Sequence, residues 1–181
     1  MPRYEKIYEE MKACLSIVPS DVYVENFCVP DTFEFPTLDM VLGFAKSNPG
    51  WNILYVHTKG ASIPDNECVS DWRKAMTCCL VDKYKKCILK LKEYDTVGCN
   101  YTDYFGFPHW QGNFWWAKSD YIAKLDYAKN IEFVEKPDLW EDRHKAEAWI
   151  FTGKPSYCEI YNHGINPYYE RNTTYKELTD E

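Results

Sequence analysis

The stretch ILYVHTKGAS, residues 53–62, begins as an apolar strand and ends with His57, Thr58 and Lys59 before Gly60. Side chains alternate between the two faces of a strand, so His57 and Lys59 are expected on one face. In α/β sheets, ligands bind beyond the carboxyl ends of the strands. The stretch therefore predicts a ligand-binding edge that carries a cation. The alternative is a hydrogen-bonded core histidine beside a surface lysine whose stem lies along apolar surface.

Strand-like and helix-like stretches alternate around this segment. Apolar residues at helical spacing predict helices within 4–15 and 35–45, and a longer helix from Ser70 to about residue 91 that bends near Val81. Strands are expected within 20–29, 51–60, 96–101, 107–117 and 156–165, and further helices within 118–125 and 141–151. This alternation predicts an α/β fold with a mainly parallel central sheet flanked by helices, in one domain at 1–170 with a C-terminal tail at 171–181.

Composition restricts the class of protein further. The 181 residues are 45% hydrophobic and 17% aromatic, which is typical of a chain that buries a core rather than a disordered one. A net charge of −7 opposes nucleic-acid binding, which requires basic surfaces. The chain has no apolar run of about 20 residues and no apolar signal segment, so a soluble cytoplasmic protein is expected. The eight cysteines include no C-x-x-C pair and are expected to be free thiols.

The long helix carries a cation near its predicted start. With Ser70 as the N-cap, Arg73 falls in the first turn, where a positive charge opposes the helix dipole unless an anion is close. A diphosphate held between Lys59 and Arg73 would account for this position. An ion pair of Arg73 with Asp71 or Glu67 is the alternative.

Residues 109–121, HWQGNFWWAKSDY, concentrate aromatic and polar side chains. Because Trp115 and Trp116 are consecutive in a strand, they face opposite sides of the sheet. We expect one of them in the core and the other in a cleft, where an indole beside His109 and Asn113 suits a sugar. The alternative is that a helix on each face of the sheet buries both indoles.

Acidic residues supply candidates for a general base. Glu147 follows Arg143 by four positions, a spacing that usually indicates a surface ion pair. Its aromatic surroundings could instead raise its pKa and make it a base toward an acceptor hydroxyl. Asp103 and Asp120 are lesser candidates. His163, which precedes a glycine, is more typical of a loop histidine with its own hydrogen bonds than of a ligand.

The order of these segments resembles a family of small glycosyltransferase-like proteins found in large DNA viruses and bacteria. The resemblance covers about residues 4–165 and rests on FPTLDMVLGFA, ILYVHTKGAS, DWRKAM, VGCNY, HWQGNFWWAKSDYIAKL and RHKAEAWI. It implies a GT-A nucleotide-diphospho-sugar transferase fold in a single domain. The implied reaction moves a sugar from a nucleotide-sugar donor to a glycan or other hydroxyl acceptor by direct displacement with inversion. A UDP-sugar is the first expectation for the donor. If the chain is viral, the host cytoplasm is the expected location.

The resemblance can be carried over residue by residue. His57, Thr58 and Lys59 match its HTK segment, Trp72 and Arg73 its WR, Asn113, Trp115 and Trp116 its GNFWW, and Glu147 its late glutamate. From these positions we predict donor binding by the HTK segment with Arg73, sugar or acceptor binding by His109 and the GNFWW segment, and Glu147 as the base.

Two features depart from the family pattern. Such folds usually hold Mn²⁺ or Mg²⁺ with an Asp-x-Asp, which this sequence lacks, so metal dependence stays open. Asp65 and Glu67 come nearest, with His163 as a third candidate ligand, and Lys59 is the candidate replacement for the metal charge. The chain also opens on a helix where such folds begin with a strand, so either the sheet lacks that strand or a partner or neighbouring segment supplies it. The alternative function is a non-catalytic carbohydrate-binding or interaction protein on a decayed transferase fold.

Overall fold

Helices and short strands alternate along the chain in the computed structural model, which describes residues 3–22, 24, 32–60, 63, 65–104, 106–132 and 143–171. The helices are α1 (Arg3–Leu15), α2 (Phe35–Ser47), α3 (Glu67–Thr77), α4 (Tyr84–Lys90), α5 (Ser119–Ile122) and α6 (His144–Ala148). The strands are β1 (Asn52–Tyr55), β2 (Thr96–Cys99), β3 (Tyr101–Thr102), β4 (His109–Trp110), β5 (Trp115–Lys118) and β6 (Tyr157–Tyr161). The mixed α/β class expected from the sequence is confirmed.

The central sheet has the strand order β1-β5-β2-β6. β1, β2 and β6 run in the same direction, while β5 runs against both of its neighbours, so only the β2–β6 pair is parallel. The expectation of a mainly parallel sheet is therefore only partly met. The chain from β2 to β5 stays at one edge of the sheet through the β3–β4 hairpin, and such a local return joins antiparallel neighbours without a crossover helix.

Helices cover both faces of this sheet. One buried cluster joins the sheet to α2, α5 and α6 and contains Trp115; the other joins it to α1, α3 and α4 and contains Trp116. The exposed fractions of Trp115 and Trp116 are 0% and 4%. Both indoles are buried, as the alternative predicts, because each face has its own helical layer. Trp116 nevertheless contributes an edge to the wall of the cavity along β1.

The long helix differs from its prediction at its start. α3 begins at Glu67, and the Asn66 side chain caps it by accepting a hydrogen bond from the backbone N–H of Val69 at 3.1 Å. Arg73 thus lies in the second turn, so the prediction of a cation in the first turn is wrong. The predicted bend near Val81 is confirmed, since Cys78–Asp82 form a π-helical segment between α3 and α4.

β1 is shorter than its sequence predicts and lies at the margin of the described sheet. It ends at Tyr55, and within the described ranges it pairs only with β5. The strand predicted at 20–29 lies largely outside the described residues. Completion of the sheet by a partner or neighbouring segment therefore stays a prediction.

Two broader expectations can be checked in the described part of the chain. The seven cysteines described there are all free thiols. No described helix is long and apolar enough to cross a membrane.

Candidate functional site

One edge of the sheet gathers most of the polar residues singled out above. The carboxyl ends of β1, β2 and β6 lie there together with the amino end of the reversed strand β5. His57 follows β1, Asn100 follows β2 and His163 follows β6. This carboxyl edge is where the sequence predicts ligand binding, because loops from several strands converge at such edges.

A tight turn before β5 forms the floor of this edge. Gly112 and Asn113 have φ values of +86° and +55°. A Cβ on Gly112 would lie 2.6 Å from the Met76 sulfur, so only glycine fits between this turn and α3. Asparagine tolerates the left-handed conformation better than most residues.

Asn113 is buried, and its amide is fully engaged. Its Nδ2 donates to Glu34 Oε2 at 2.5 Å and to the Ala146 carbonyl at 3.3 Å, while its Oδ1 accepts from the Trp115 indole at 3.0 Å. These contacts use both Nδ2 protons to join β5 to α2 and α6, so they do not support the predicted sugar contact of Asn113, which stays a prediction.

Glu34 is a site residue that the sequence analysis missed. It lies immediately before α2, where a carboxylate is favoured by the helix dipole. Its Oε2 accepts hydrogen bonds from the Tyr55 hydroxyl at 2.7 Å and from Asn113. The only signal in the sequence is an acidic residue before Pro36, which indicates a helix start and gives no hint of its distant partners.

His57 lies against the turn and beside Glu34. Its Nε2 is 2.9 Å from the Gly112 carbonyl oxygen and 3.6 Å from Glu34 Oε1. Since a carbonyl oxygen only accepts, Nε2 carries the proton and the neutral ring has its lone pair on Nδ1. No described residue hydrogen-bonds to Nδ1. The side chain of His57 is 25% exposed, and its contact with Gly112 holds the ring in one tautomer.

A cavity of about 1230 Å³ runs along β1 between α1 and α2. Glu34, Tyr55, His57 and Thr58 line its polar end at the carboxyl edge, and the rest of its described wall is largely apolar. Trp116 reaches this wall only through its small exposed edge. The cavity is larger than the ~300–1,000 Å³ of ordinary small-molecule pockets, so its size admits an extended ligand.

Lys59 points away from the face predicted for it. Because the strand ends at Tyr55 and the Lys59 N–H donates to the His57 carbonyl at 2.8 Å, the chain turns between them. The Lys59 ammonium lies 4.3 Å from the centre of the Trp72 ring and 5.7 Å from that of Tyr168. Cation–π contacts thus hold the Lys59 ammonium at the carboxyl edge. Lys59 is close to His57 in sequence, but the two side chains contact different residues.

Arg73 supports this loop from beneath. Its Nη1 donates to the Lys59 carbonyl at 2.8 Å, and its Nη2 lies 3.5 Å from Glu10 Oε2 on α1. The guanidinium is buried and occupied by these partners. The carboxylate partner of Arg73 is Glu10 rather than Asp71 or Glu67, since Arg171 binds both of those carboxylates. The contacts of Arg73 do not support the diphosphate contact predicted for it, which stays a prediction.

His109 and Glu147 lie on the far side of Asn113. His109 is buried, with its Nδ1 3.1 Å from the Phe107 carbonyl oxygen, and burial lowers its pKa below the usual value. The negative charge of Glu147, half-buried on α6, partly opposes this shift. His109 is thus a buried histidine, and its predicted sugar contact and the role of Glu147 as a base both stay predictions.

The two lesser base candidates lie apart. Asp120 accepts a hydrogen bond from the Gly50 N–H at 3.2 Å, which places it at the amino end of β1, about 10 Å of strand away from His57. The prediction of Asp120 as a base in this site is wrong for that reason. Asp103 is exposed in the turn after β3.

The proposed metal ligands do not form a metal site in the described ranges. Glu67 binds Arg171, Asp65 is exposed, and His163 Nδ1 accepts from the Ile165 N–H at 3.2 Å. No group of three His, Cys, Asp or Glu residues suited to a metal ion occurs among the described residues. These residues do not fit the metal that the resemblance implies, and no chemical step is routed through one.

The fold and the carboxyl edge together define a mixed α/β protein with a cluster of polar residues beside a large cavity. Residues 9–146 match a family described as domain of unknown function DUF8361, and the chain belongs to this family. No curated protein and no solved structure matches the chain.

Proposed function

We propose that this chain is a glycosyltransferase that moves a sugar from a nucleotide-diphosphate donor to a hydroxyl acceptor. The observation that carries the proposal is the Glu34–His57 pair at the polar end of the cavity, with the Lys59 ammonium on the same edge. A base, a cation and an extended cavity are the parts that such a transfer requires.

His57 is the general base in this proposal. Its Nε2–H is directed to the Gly112 carbonyl with Glu34 behind it, so Nδ1 can accept a proton while the Glu34 carboxylate stabilises the resulting imidazolium. Tyr55 and Asn113 hold that carboxylate in place. Glu34 is accordingly a positioning residue for His57.

The proposed step is a direct displacement. The acceptor oxygen attacks the anomeric carbon, the bond from that carbon to the phosphate oxygen breaks, and the hydroxyl proton passes to His57 Nδ1. The bond electrons leave with the nucleoside diphosphate, whose charge Lys59 stabilises. Attack opposite the leaving group inverts the anomeric configuration.

Glu147 is the competing base within the same proposed reaction. It lies on the other side of Asn113 from His57, on α6. The variants His57→Gln and Glu147→Gln decide between the two residues, since each substitution removes the base with little change in the size of the side chain.

The experiment measures release of nucleoside diphosphate from a panel of nucleotide sugars, UDP-sugars first, with glycan acceptors. His57→Gln should lower kcat by about 10²–10⁴-fold with little change in donor KM, because it removes proton transfer and not binding. Glu34→Gln should lower kcat by less. Glu93→Gln, an exposed carboxylate after α4, is the matched control and should behave as wild type.

Three outcomes separate the alternatives. A kcat loss confined to Glu147→Gln assigns the base to Glu147 and overturns the role of His57. Absence of turnover and of thermal stabilisation with every donor, with Mn²⁺, Mg²⁺ or EDTA, overturns the transferase proposal. Stabilisation by free oligosaccharides alone would support the non-catalytic carbohydrate-binding protein.

A further inference from the structure

Three buried N–H groups at the carboxyl edge lack hydrogen-bond partners. They are the indole Nε1 of Trp72, the amide Nδ2 of Asn100 and the ring Nε2 of His163, and none has a partner among the described residues. Buried polar groups are rarely left unpaired, because each costs about 1–3 kcal/mol. Such groups gathered in one place indicate a ligand that supplies what they lack.

The three residues belong to one continuous patch. The His163 backbone N–H donates to Asn100 Oδ1 at 3.0 Å, and the Asn100 carbonyl accepts from the Gln111 N–H at 3.0 Å. The next residue, Gly112, packs against Trp72, since a Cβ there would lie 3.0 Å from the indole Cζ2. The loops after β2 and β6, the turn before β5 and α3 are thereby linked to one another through residues of this patch.

All three groups are donors. An indole nitrogen and an amide Nδ2 can only donate. His163 Nδ1 accepts from the Ile165 N–H, so the proton of the neutral ring lies on Nε2. Burial lowers the pKa of His163, which favours that neutral form. A metal ion needs lone pairs, and this set offers it none.

A cation lies beside the donors. The Lys59 ammonium rests 4.3 Å from the centre of the Trp72 ring, and no ion pair joins Lys59 to a carboxylate in the part of the chain that the structure describes. Tyr168 closes over the other side, with its ring 5.2 Å from that of Trp72.

The nearby carboxylates are already engaged. Asp71 and Glu67 both bind Arg171. Glu170 accepts from the Asn166 N–H at 2.9 Å, and Glu159 accepts from the Asn162 amide at 3.0 Å. These contacts limit the repulsion that an incoming anion would meet at the patch.

We propose that Trp72, Asn100, His163 and Lys59 form a binding site for a phosphoryl oxyanion. A single buried water accepts about two hydrogen bonds and cannot satisfy three donors. A phosphoryl group offers several acceptor oxygens and a negative charge for Lys59. The site does not depend on the proposed transfer reaction, because inorganic phosphate and the phosphate of a nucleotide would use the same donors.

The test is calorimetric titration of the full chain with inorganic phosphate, pyrophosphate, uridine and UDP. Asn100→Asp keeps the accepting oxygen and tolerates the left-handed φ of +57° while replacing the donor, and Lys59→Met keeps the stem while removing the charge. Each should weaken pyrophosphate binding by about tenfold or more. Asn52→Asp, at the opposite edge, and Lys85→Met, on α4, are exposed matched controls that should bind as wild type.

A second measurement does not require the variants to fold equally well. Pyrophosphate should shift the indole N–H resonance of Trp72 in the wild-type protein, with the assignment taken from Trp72→Phe. Binding of pyrophosphate equal to UDP supports a free phosphate as the source, and much tighter UDP binding supports a nucleotide. Unchanged affinity in Asn100→Asp and Lys59→Met, or no binding and no shift in wild type, overturns the site.

The outcome is separable from that of the proposed function. Pyrophosphate binding that Asn100→Asp weakens, in a protein without any sugar-transfer turnover, supports this site and removes the transferase proposal. Turnover that is sensitive to His57→Gln, in a protein whose pyrophosphate binding is unaffected by Asn100→Asp, overturns this site and leaves the transferase proposal standing.

Discussion

A backbone carbonyl holds His57 in one tautomer, which is the tautomer that the proposed proton transfer requires. The Gly112 oxygen determines which ring nitrogen keeps its proton, and the Glu34 carboxylate 3.6 Å away adds a stabilising charge. In catalytic triads a carboxylate accepts the hydrogen bond that orients the histidine. Here the Gly112 carbonyl accepts that hydrogen bond, and the Glu34 carboxylate lies next to it. The availability of Nδ1 follows from that arrangement.

His109 should make stability depend on pH. Burial lowers its folded pKa, so between that pKa and the unfolded value of about 6.5 the unfolded chain binds more protons. Stability is therefore lost as pH falls from about 7 to about 5, and His109→Gln should lose less over that range. Urea unfolding at several pH values measures the free energy of unfolding of both proteins. His163, whose pKa is also lowered by burial, contributes the same pH dependence to wild type and variant. A constant difference between wild type and variant across the range would contradict the burial argument.

Single residues were predictable where the strand itself placed them. His57 and Lys59 were expected at the carboxyl edge from the apolar run that precedes them, and the structure has both there. The carboxylate partner of Arg73 was assigned wrongly because Glu10 lies 63 positions earlier, on α1. Glu34 escaped notice for the same reason, since its bond to Asn113 spans 79 positions. Such contacts leave no local pattern in a sequence.

At the scale of elements, the turn at 111–113 joins the fold to the candidate site. It packs on α3 through Gly112, binds α2 and α6 through Asn113, and offers its carbonyl to His57. An error in this turn would therefore disturb stability and the site together.

Gly112→Ala tests the turn. Alanine at φ +86° costs about 1–2 kcal/mol in the left-handed region, and its Cβ would meet Met76, so a loss of about 2 kcal/mol or more in unfolding free energy is expected. Gly43→Ala is the control, because Gly43 lies within α2 with nothing near its Cβ and should gain about 0.5–1 kcal/mol. Equal effects of the two substitutions in urea denaturation would show that the turn is not constrained.

Element positions were largely predictable, while their exact starts and pairings were not. The periodicity of α3 and the bend at the π-helical segment could be read from apolar spacing. The start at Glu67 could not, because Asn66 and Ser70 are equally suitable caps by residue type, and the first contacts of α3 with other elements decide between them. Likewise, no local signal distinguishes β5 as antiparallel.

At the scale of the whole molecule, the central sheet separates two hydrophobic cores, one on each of its faces. Trp115 packs on the α2 side and donates to Asn113, whereas Trp116 packs on the α3 side and donates to the Leu80 carbonyl at 2.7 Å. Strands β1 and β5 contribute side chains to both cores, so we expect the two cores to unfold together.

Trp115→Phe and Trp116→Phe test that cooperativity. Each leaves a buried acceptor without its donor and removes part of an indole, so each should cost about 1–3 kcal/mol. Because both cores belong to one sheet, each variant should show a single transition at which fluorescence and circular dichroism change together. Separate transitions for the two probes would contradict a shared core.

The whole-molecule architecture also fixes where a ligand should lie. Three strands end at the carboxyl edge, and the residues of the proposed reaction and of the oxyanion site lie there, whereas Asp120 marks the opposite edge. The central claim is that this carboxyl edge binds the nucleotide sugar.

A crystal structure of the protein soaked with UDP and with UDP-sugars tests that claim most directly. We expect electron density for the diphosphate beside Lys59, Asn100 and His163, with the sugar directed toward His57. Density at the opposite edge near Asp120, or no density with any donor at saturating concentration, would contradict it.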